Sequence, residues 1–379
     1  MKWRMFICAI CFLIGGCSLN IPLEDQFSDP DAITDVLSAR SLLASAYKAM
    51  PQQIFQLSVL SDDFCPSQHL NKDMSLQGLY NWREVEMTEL AGTLWAGYYA
   101  VIAEVNALLA RIDAVVTLDE TEKLEKMRIV CEAKALKSWC YFDLLRLFAP
   151  RYEGNENKDG IILKKRVELD FLPRSSVKEC VTEIRTLLNE ARNVDNTQKN
   201  VYWLSDKAVA YLQVELELYA GNYPAVLELT KDLETEYPES VLGADVYKYL
   251  WSSENSDARI FGKYQLEQIY MDIRFDTFEK GDYLVLSQNV DYEEEDIRKE
   301  WSEIPFVMPD AKNVRLLGKY NKMNRDKVAS KYVNVARAAG MWLMRVEALA
   351  RSGKEGDAVA LANRMLKQRG ATEWSTNCL

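Results

Sequence analysis

A chain of 379 residues, 48% of them apolar, can bury a substantial core as one large domain or two joined ones, which excludes a disordered polypeptide. Its formal net charge of −11 disfavours nucleic acid and anionic lipid as partners. A single histidine, His69, disfavours His-rich metal sites and leaves any Ser-His-Asp triad dependent on that one residue.

At the N-terminus, Lys2 and Arg4 precede an apolar run from Met5 to Ile14 that ends at Gly15-Gly16-Cys17, the layout of a secretory signal. The run is too short for a spanning helix, which needs about twenty apolar residues. Ile14-Gly15-Gly16-Cys17 resembles a lipobox, and this resemblance implies cleavage before an acylated Cys17. Several acyl chains, at about 0.8 kcal/mol per buried methylene, hold a soluble domain on a membrane durably. The alternative is ordinary secretion with Cys17 retained. Loss of Lys2 and Arg4 takes the formal charge from −11 to −13, so the mature chain is the more acidic. Of eight cysteines, Cys8 and Cys11 leave with the signal and Cys17 takes lipid, which leaves an odd, scattered set: Cys65, Cys131, Cys140, Cys180 and Cys378. That argues against a disulfide framework. Cys131 and Cys140 fall on roughly opposite faces of one predicted helix and read as core thiols.

Residues 17–28 read as a tether, after which Asp29-Pro30 supplies the acid and proline of a helix start. Ile33, Val36, Leu37, Leu43, Ala44 and Tyr47 then recur at helical spacing as far as Pro51, with Arg40 the one charge on the stripe. From Gly92 a helical hairpin is predicted. Leu94, Trp95, Tyr98, Ile102, Val105, Leu109 and Ile112 mark its first arm, and Met127, Cys131, Ala135, Trp139, Phe142 and Leu145 its second, closed by Pro150. Residues 151–166 read as a loop, and Ser175 or Ser176 caps a helix to about Ala191. Two more helices follow, near 205–220 and 224–236. Val214-Glu-Leu-Glu-Leu-Tyr-Ala-Gly-Asn-Tyr-Pro-Ala225 echoes Val346-Glu-Ala-Leu-Ala-Arg-Ser-Gly-Lys-Glu-Gly-Asp-Ala358, each a helix, a Gly turn and a second helix near Ala. This resembles the tetratricopeptide unit, with the turn differing by one residue between copies. Between Asp257 and Arg337 the helical period gives way to short pieces, Arg259-Ile-Phe-Gly-Lys-Tyr264 and Tyr283-Leu-Val-Leu286, and to the acidic run Glu293-Glu-Glu-Asp296. This reads as an ordered insertion of loop and minor strand, about 257–337. The expected fold is mainly α: tetratricopeptide-like helical hairpins with an inserted irregular, minor-strand region, in one domain over 29–379.

Four segments, in this order and spacing, resemble the SusD/RagB family of Bacteroidetes outer-membrane lipoproteins. They are the lipobox with the helix ending Leu43-Ala-Ser-Ala-Tyr47-Lys; Leu94-Trp95-Ala-Gly-Tyr98 through Asn106 with Glu132-Ala133 through Leu144; Lys207-Ala-Val-Ala-Tyr-Leu through Tyr223; and Met341 through Gly353 with Asn363-Arg-Met-Leu-Lys-Gln-Arg369-Gly. The family pattern continues past this Arg-Gly with a further helix, whereas this sequence stops at Leu379, a departure from the pattern that bears on the final helix packing. The resemblance implies a SusD-like binding protein, not an enzyme, on the outer membrane and facing the cell exterior. It implies a lipid-anchored protein that captures a glycan or, second, a peptide and delivers it to a TonB-dependent, SusC-like transporter. The alternative is a helical-repeat scaffold that binds only other proteins.

The chemistry in the sequence agrees with binding. There is no Gly-x-Ser-x-Gly elbow, no phosphate-cradling Gly loop and no His-Glu-x-x-His, and no catalytic residue, metal or cofactor is assigned. Among 57 acidic residues nothing marks out one carboxylate pair. The binding resources are 9 Trp and 19 Tyr, whose flat apolar faces and polar edges suit sugar rings. Trp95, Trp139 and Trp342 lie on apolar helix faces and read as core. The polar stretch from Ser61 through His69 to Arg83 reads as loop, and the family's ligand loops fall there, so Asp63, Tyr80 and Trp82 are the candidate contacts. Trp301, with Phe306 beside Pro305, is a second candidate. Asp29, Asp31 and Asp35 read as acids at a helix N-terminus rather than a calcium loop, and Glu293 to Asp296 as a solvated face.

Overall fold

The computed structural model describes residues 33–51, 53–61, 64–66, 74–168, 170–192, 201–251, 255–264, 284–286, 291–307, 311–319 and 332–375. Its first elements are α1 (Val36–Ala49), α2 (Ile54–Leu60), β1 (Phe64–Pro66), α3 (Met74–Tyr80), α4 (Glu84–Arg111), α5 (Glu120–Phe148), α6 (Val177–Ala191) and α7 (Asp206–Tyr219). There follow α8 (Tyr223–Leu229), α9 (Leu233–Glu236), α10 (Ala244–Tyr247), β2 (Arg259–Tyr264), β3 (Leu284–Leu286), α11 (Ile297–Ser302), β4 (Glu303–Val307), β5 (Asn313–Leu317), β6 (Tyr332–Arg337), α12 (Ala338–Arg351) and α13 (Glu355–Arg369). The chain is thus mainly helical, with the described strands other than β1 gathered in the stretch expected to lose helical period.

Helix α1 starts at a capping box: the Asp35 carboxylate accepts from Ser38 N, and the Ser38 hydroxyl oxygen accepts from Asp35 N. Asp29 and Pro30 lie outside the described residues, as does Cys17. Val36, Ala39, Leu43 and Ala46 are buried, but Leu37 is exposed. One residue is a rotation of about 100°, which carries Leu37 off the stripe that Val36 leads. Arg40 is matched across the interface by Glu132 at 2.9 Å, whose side chain is fully buried, and by Glu125 at 2.5 Å.

The predicted hairpin is α4 and α5, but α4 begins at Glu84 rather than near Gly92. Two acids in its first turn suit the helix dipole, and Leu90 already faces the core. By length and composition α4 could cross a membrane, yet its Leu94, Tyr98, Val101, Ile102 and Val105 are buried where α1 and α5 pack on it, as in a soluble core helix. From Ile129 to Leu145, α5 is buried nearly all round because α1, α4, α6 and α7 all touch it. Cys131 and Cys140 are therefore both buried despite pointing opposite ways. Met127, expected on the apolar face, precedes this stretch and is exposed.

Ser176 caps α6 through a capping box with Glu179, and Ser205 caps α7. The helix expected over 224–236 is interrupted at Thr230, whose hydroxyl donates to Val226 O and whose carbonyl accepts from Arg345. The two Gly turns match in detail. Gly221 and Gly353 have φ of +70° and +72°, and Asn222 N and Lys354 N close back onto Glu217 O and Leu349 O at 2.8 and 2.9 Å. The second helix starts two residues past the glycine in both copies, at Tyr223 and Glu355. The one-residue difference inferred from the alanines is therefore not a difference in the turn: Ala358 occupies the place of Val226, and both are fully buried.

Among the described residues the insertion carries the minor strands expected of it. An antiparallel sheet in the order β1-β3-β5-β4 is joined by a β2–β6 ribbon, which leads directly into α12. Strand β1 comes from the 61–83 stretch and pairs Phe64 with Leu286 and Pro66 with Leu284. One contiguous core runs from Ile33 to Met365, and a satellite cluster of Tyr247, Leu250, Trp251 and Ala258 lies under the insertion.

Candidate ligand-binding surface

Helix α3 ends at Tyr80 and the chain turns through Asn81 and Trp82 into α4. Arg83 N donates to Gly78 O at 2.9 Å and Trp82 N to Leu79 O at 3.0 Å, the bond pair of a Schellman turn. The left-handed position of that turn, usually glycine, is Trp82, with φ +54°. A side chain there carries strain of about 1–2 kcal/mol. Such strain persists where the surroundings over-determine it, and it clusters at ligand clamps and active sites. Here the surroundings are plain. Leu76 and Leu79 are buried and fix α3, while Asn81 Nδ2 donates to Gln77 O at 2.9 Å. Glu86 pairs with Arg83 at 2.7 Å and lies so close to Gly78 that a Cβ there would meet its Cδ at 2.3 Å. The result is a fixed corner with two aromatic rings facing water: Trp82 is 64% exposed and Tyr80 40%.

Asp63 and His69 lie outside the described residues. Trp301 is placed differently from Trp82: at the end of α11 it is half-buried against the satellite cluster of Tyr247, Leu250, Trp251 and Ala258. The two candidate regions share one sheet without meeting. Helix α3 packs on β1, at one edge, and Trp301 lies two residues before the start of β4, at the other. Four strands at about 4.8 Å spacing separate those edges by about 14 Å. Phe306 is half-buried within β4. Trp139 and Trp342 are buried, as expected of core residues, and Trp95 is half-buried between Phe148 and the Arg174 guanidinium, 5.0 Å from its ring.

Among the described residues two exposed aromatics escaped the sequence reading, Trp374 and Phe171. Phe171, followed by Leu172-Pro173 in the loop before α6, is fully exposed. Its signal was available, an apolar ring between charged residues and a proline. The buried Tyr98 donates to Asp143 at 2.9 Å, and Arg146, itself exposed, bridges Asp143 and Glu215 at 2.5 and 2.7 Å, tying α4, α5 and α7 together. Burial raises the Glu215 carboxyl, with Arg146 opposing the shift. Among the described residues no group of His, Cys, Asp or Glu is arranged to hold a metal ion.

A family model for SusD-like proteins, described as starch-binding associating with outer membrane, matches residues 23–214, half of the chain. The chain belongs to the SusD-like family. None of the curated proteins compared with it matches. Among solved structures, a SusD-like carbohydrate binding protein from Bacteroides vulgatus superposes with a TM-score of 0.71 at 17% identity, over 90% of this chain and 77% of that one. A SusD superfamily protein from Bacteroides thetaiotaomicron gives 0.71 at 17% identity, over 91% and 83%. Another from Bacteroides fragilis gives 0.69 at 18%, over 92% and 84%. At these identities the structures share the fold.

Proposed function

We propose that this SusD-like chain is an outer-membrane lipoprotein that captures a glycan without turning it over and hands it to a TonB-dependent, SusC-like transporter. In this reading residues 1–16 are the signal, Cys17 carries the lipid, 17–28 form the tether, and 29–379 form one domain with its insertion at about 257–337, facing the cell exterior. The family's association with the outer membrane and with starch, and the carbohydrate binding protein of similar fold, support a glycan over a peptide. The observation that carries the reading is the α3–α4 corner, where an exposed Trp82 is held in a strained turn beside exposed Tyr80. A flat ring fixed toward solvent suits stacking on a pyranose. Asp63 and Trp301 complete the proposed contacts.

Two measurements test it. Detergent extraction from the native membrane followed by mass identification should recover a TonB-dependent transporter with the chain, and a polysaccharide panel should retain the purified chain. Recovery of scaffold proteins alone, with no glycan retained, would instead favour a protein-binding scaffold, a role for which the matched Gly221 and Gly353 turns would serve.

A further inference from the structure

Helix α13 ends at Arg369, which is only 7% exposed and whose Nη1 has no hydrogen-bond partner. Its guanidinium lies 4.6 Å from the Tyr247 ring centroid, and Tyr247 is stacked edge-on with Trp251 at 5.6 Å. Arg337, at the end of β6, is half-buried with its guanidinium 5.6 Å from the Trp251 ring centroid, and the Lys319 ammonium lies 5.1 Å from the same ring. Neither Arg369 nor Arg337 has a carboxylate partner among the described residues. The buried carboxylate at hand, Asp296, is already held in a two-pronged pair by Arg298, with contacts of 2.5 and 3.0 Å. The C-terminal dipole of α13 favours a cation at Arg369, yet it leaves the buried Nη1 unmatched. Burial pulls the pKa of Arg369 down to about 10; the like charges of Arg298 and Arg337 push the same way, while Tyr247 and Asp296 oppose the shift.

A buried donor without a partner calls for an explanation, often an ion. A buried charge costs several kcal/mol unless it is compensated. We propose that Arg369 and Arg337, braced on the Tyr247–Trp251 pair, form an oxyanion site that takes a carboxylate group. Guanidinium matches a carboxylate in two-pronged geometry, which is why arginine rather than lysine serves there. Rigidity comes from Gly370, with φ +69°, which brings the end of α13 so close to the 291–298 segment that a Cβ would stand 2.4 Å from Glu295 O. Thr372 N donates to Glu293 at 2.8 Å and holds the chain beyond. The site uses none of the residues of the Tyr80–Trp82 corner, although Trp301 packs on the same cluster as Tyr247 and Trp251.

The test is thermal unfolding of the full chain in sodium glucuronate, sodium acetate or sodium chloride at equal ionic strength, with glucose as the neutral control. Sulfate is avoided because its exclusion from protein surfaces raises unfolding temperatures in general. The natural chain should show a saturable rise in midpoint with carboxylate and none with glucose or chloride. Arg369→Met should weaken the half-saturation at least about tenfold, the loss expected for one charge-assisted hydrogen-bond pair. Lys367→Met, at an exposed position in the same turn, should leave the response intact. A response to both acids identifies a site for the carboxylate group itself, and a response to glucuronate alone identifies an acidic sugar; both support the site. No response to either acid, or an equal response in Arg369→Met, overturns it. If Arg369→Met does not fold, the half-buried Arg337→Gln decides by the same criterion.

Discussion

Replacing Trp82 with glycine separates a ligand-binding role from a structural one. Three terms set the effect on stability. Relief of a bulky side chain at φ +54° returns about 1–2 kcal/mol. The added freedom of glycine in the unfolded chain costs about 0.5–1 kcal/mol. With the residue 64% exposed, roughly a third of a Trp surface of about 250 Å² is buried, so at about 25 cal/mol per Å² its removal costs at most about 2 kcal/mol. The terms nearly cancel, and Trp82→Gly should change unfolding free energy by no more than about 1 kcal/mol in a urea titration. Binding behaves otherwise. An aromatic at the centre of a contact contributes about 2 kcal/mol, so affinity electrophoresis against the retained polysaccharide should weaken roughly 30-fold. A loss of stability well above 2 kcal/mol would mean that the ring packs structurally, and an unchanged affinity would remove Trp82 from the contact surface.

Other parts of the fold give sharper stability tests. Arg40→Met removes the cation that faces the fully buried Glu132 and should cost about 3 kcal/mol in urea titration, most of it recovered in Arg40→Met/Glu132→Gln; an equal loss in the double variant would refute the charge argument. Lys137 is buried against Asn106 Oδ1 at 2.6 Å, and burial lowers its pKa to about 8. Between pH 8 and about 10.4 the unfolded chain holds the extra proton, so natural stability rises with pH there relative to Lys137→Met; a constant difference between the two urea midpoints at pH 7, 9 and 10 would contradict this. Gly370→Ala forces a left-handed alanine toward Glu295 O and should cost about 1–3 kcal/mol, with faster amide exchange at Thr372; unchanged exchange there would show that the contact is dispensable.

The helical half of the fold was legible because its signals are local. Ser176, Ser205 and the glycines at 221 and 353 act within a few residues, through caps and left-handed turns, and the sequence positions agree with the structure to within a residue. Helix α5 was legible by length but not by face, since a helix surrounded by four neighbours has no polar side to reveal its orientation. The strands were another matter. Cys65 and Val285 are paired across more than two hundred residues of sequence, and three-residue strands carry no periodicity that could announce the pairing. For the same reason the 61–83 stretch read as loop, when part of it is an edge strand and part is α3. Tyr80 and Trp82 were found from residue type, but the turn that aims Trp82 could not be. A Schellman turn is usually announced by glycine, and here tryptophan stands in that position.

That inversion bears on how the corner would work. A ring on a mobile loop must be ordered when ligand arrives, at about 0.5–1.5 kcal/mol for each immobilised side chain. Trp82 is held before any encounter: its amide is bonded to Leu79 O, Arg83 is bonded to Gly78 O, and the buried Leu76 and Leu79 fix the helix that leads into the turn. The cost of placing it is incurred on folding, as left-handed strain, rather than on binding. Glu86 makes the arrangement hard to relax, because it fills the space beside Gly78 and pairs with Arg83 on the far side of the tryptophan. A corner clamped from both sides, carrying one strained and exposed ring, is costly as a mere connection between two helices. It becomes economical if the ring receives a ligand face that is itself flat and weakly hydrated, as a pyranose is.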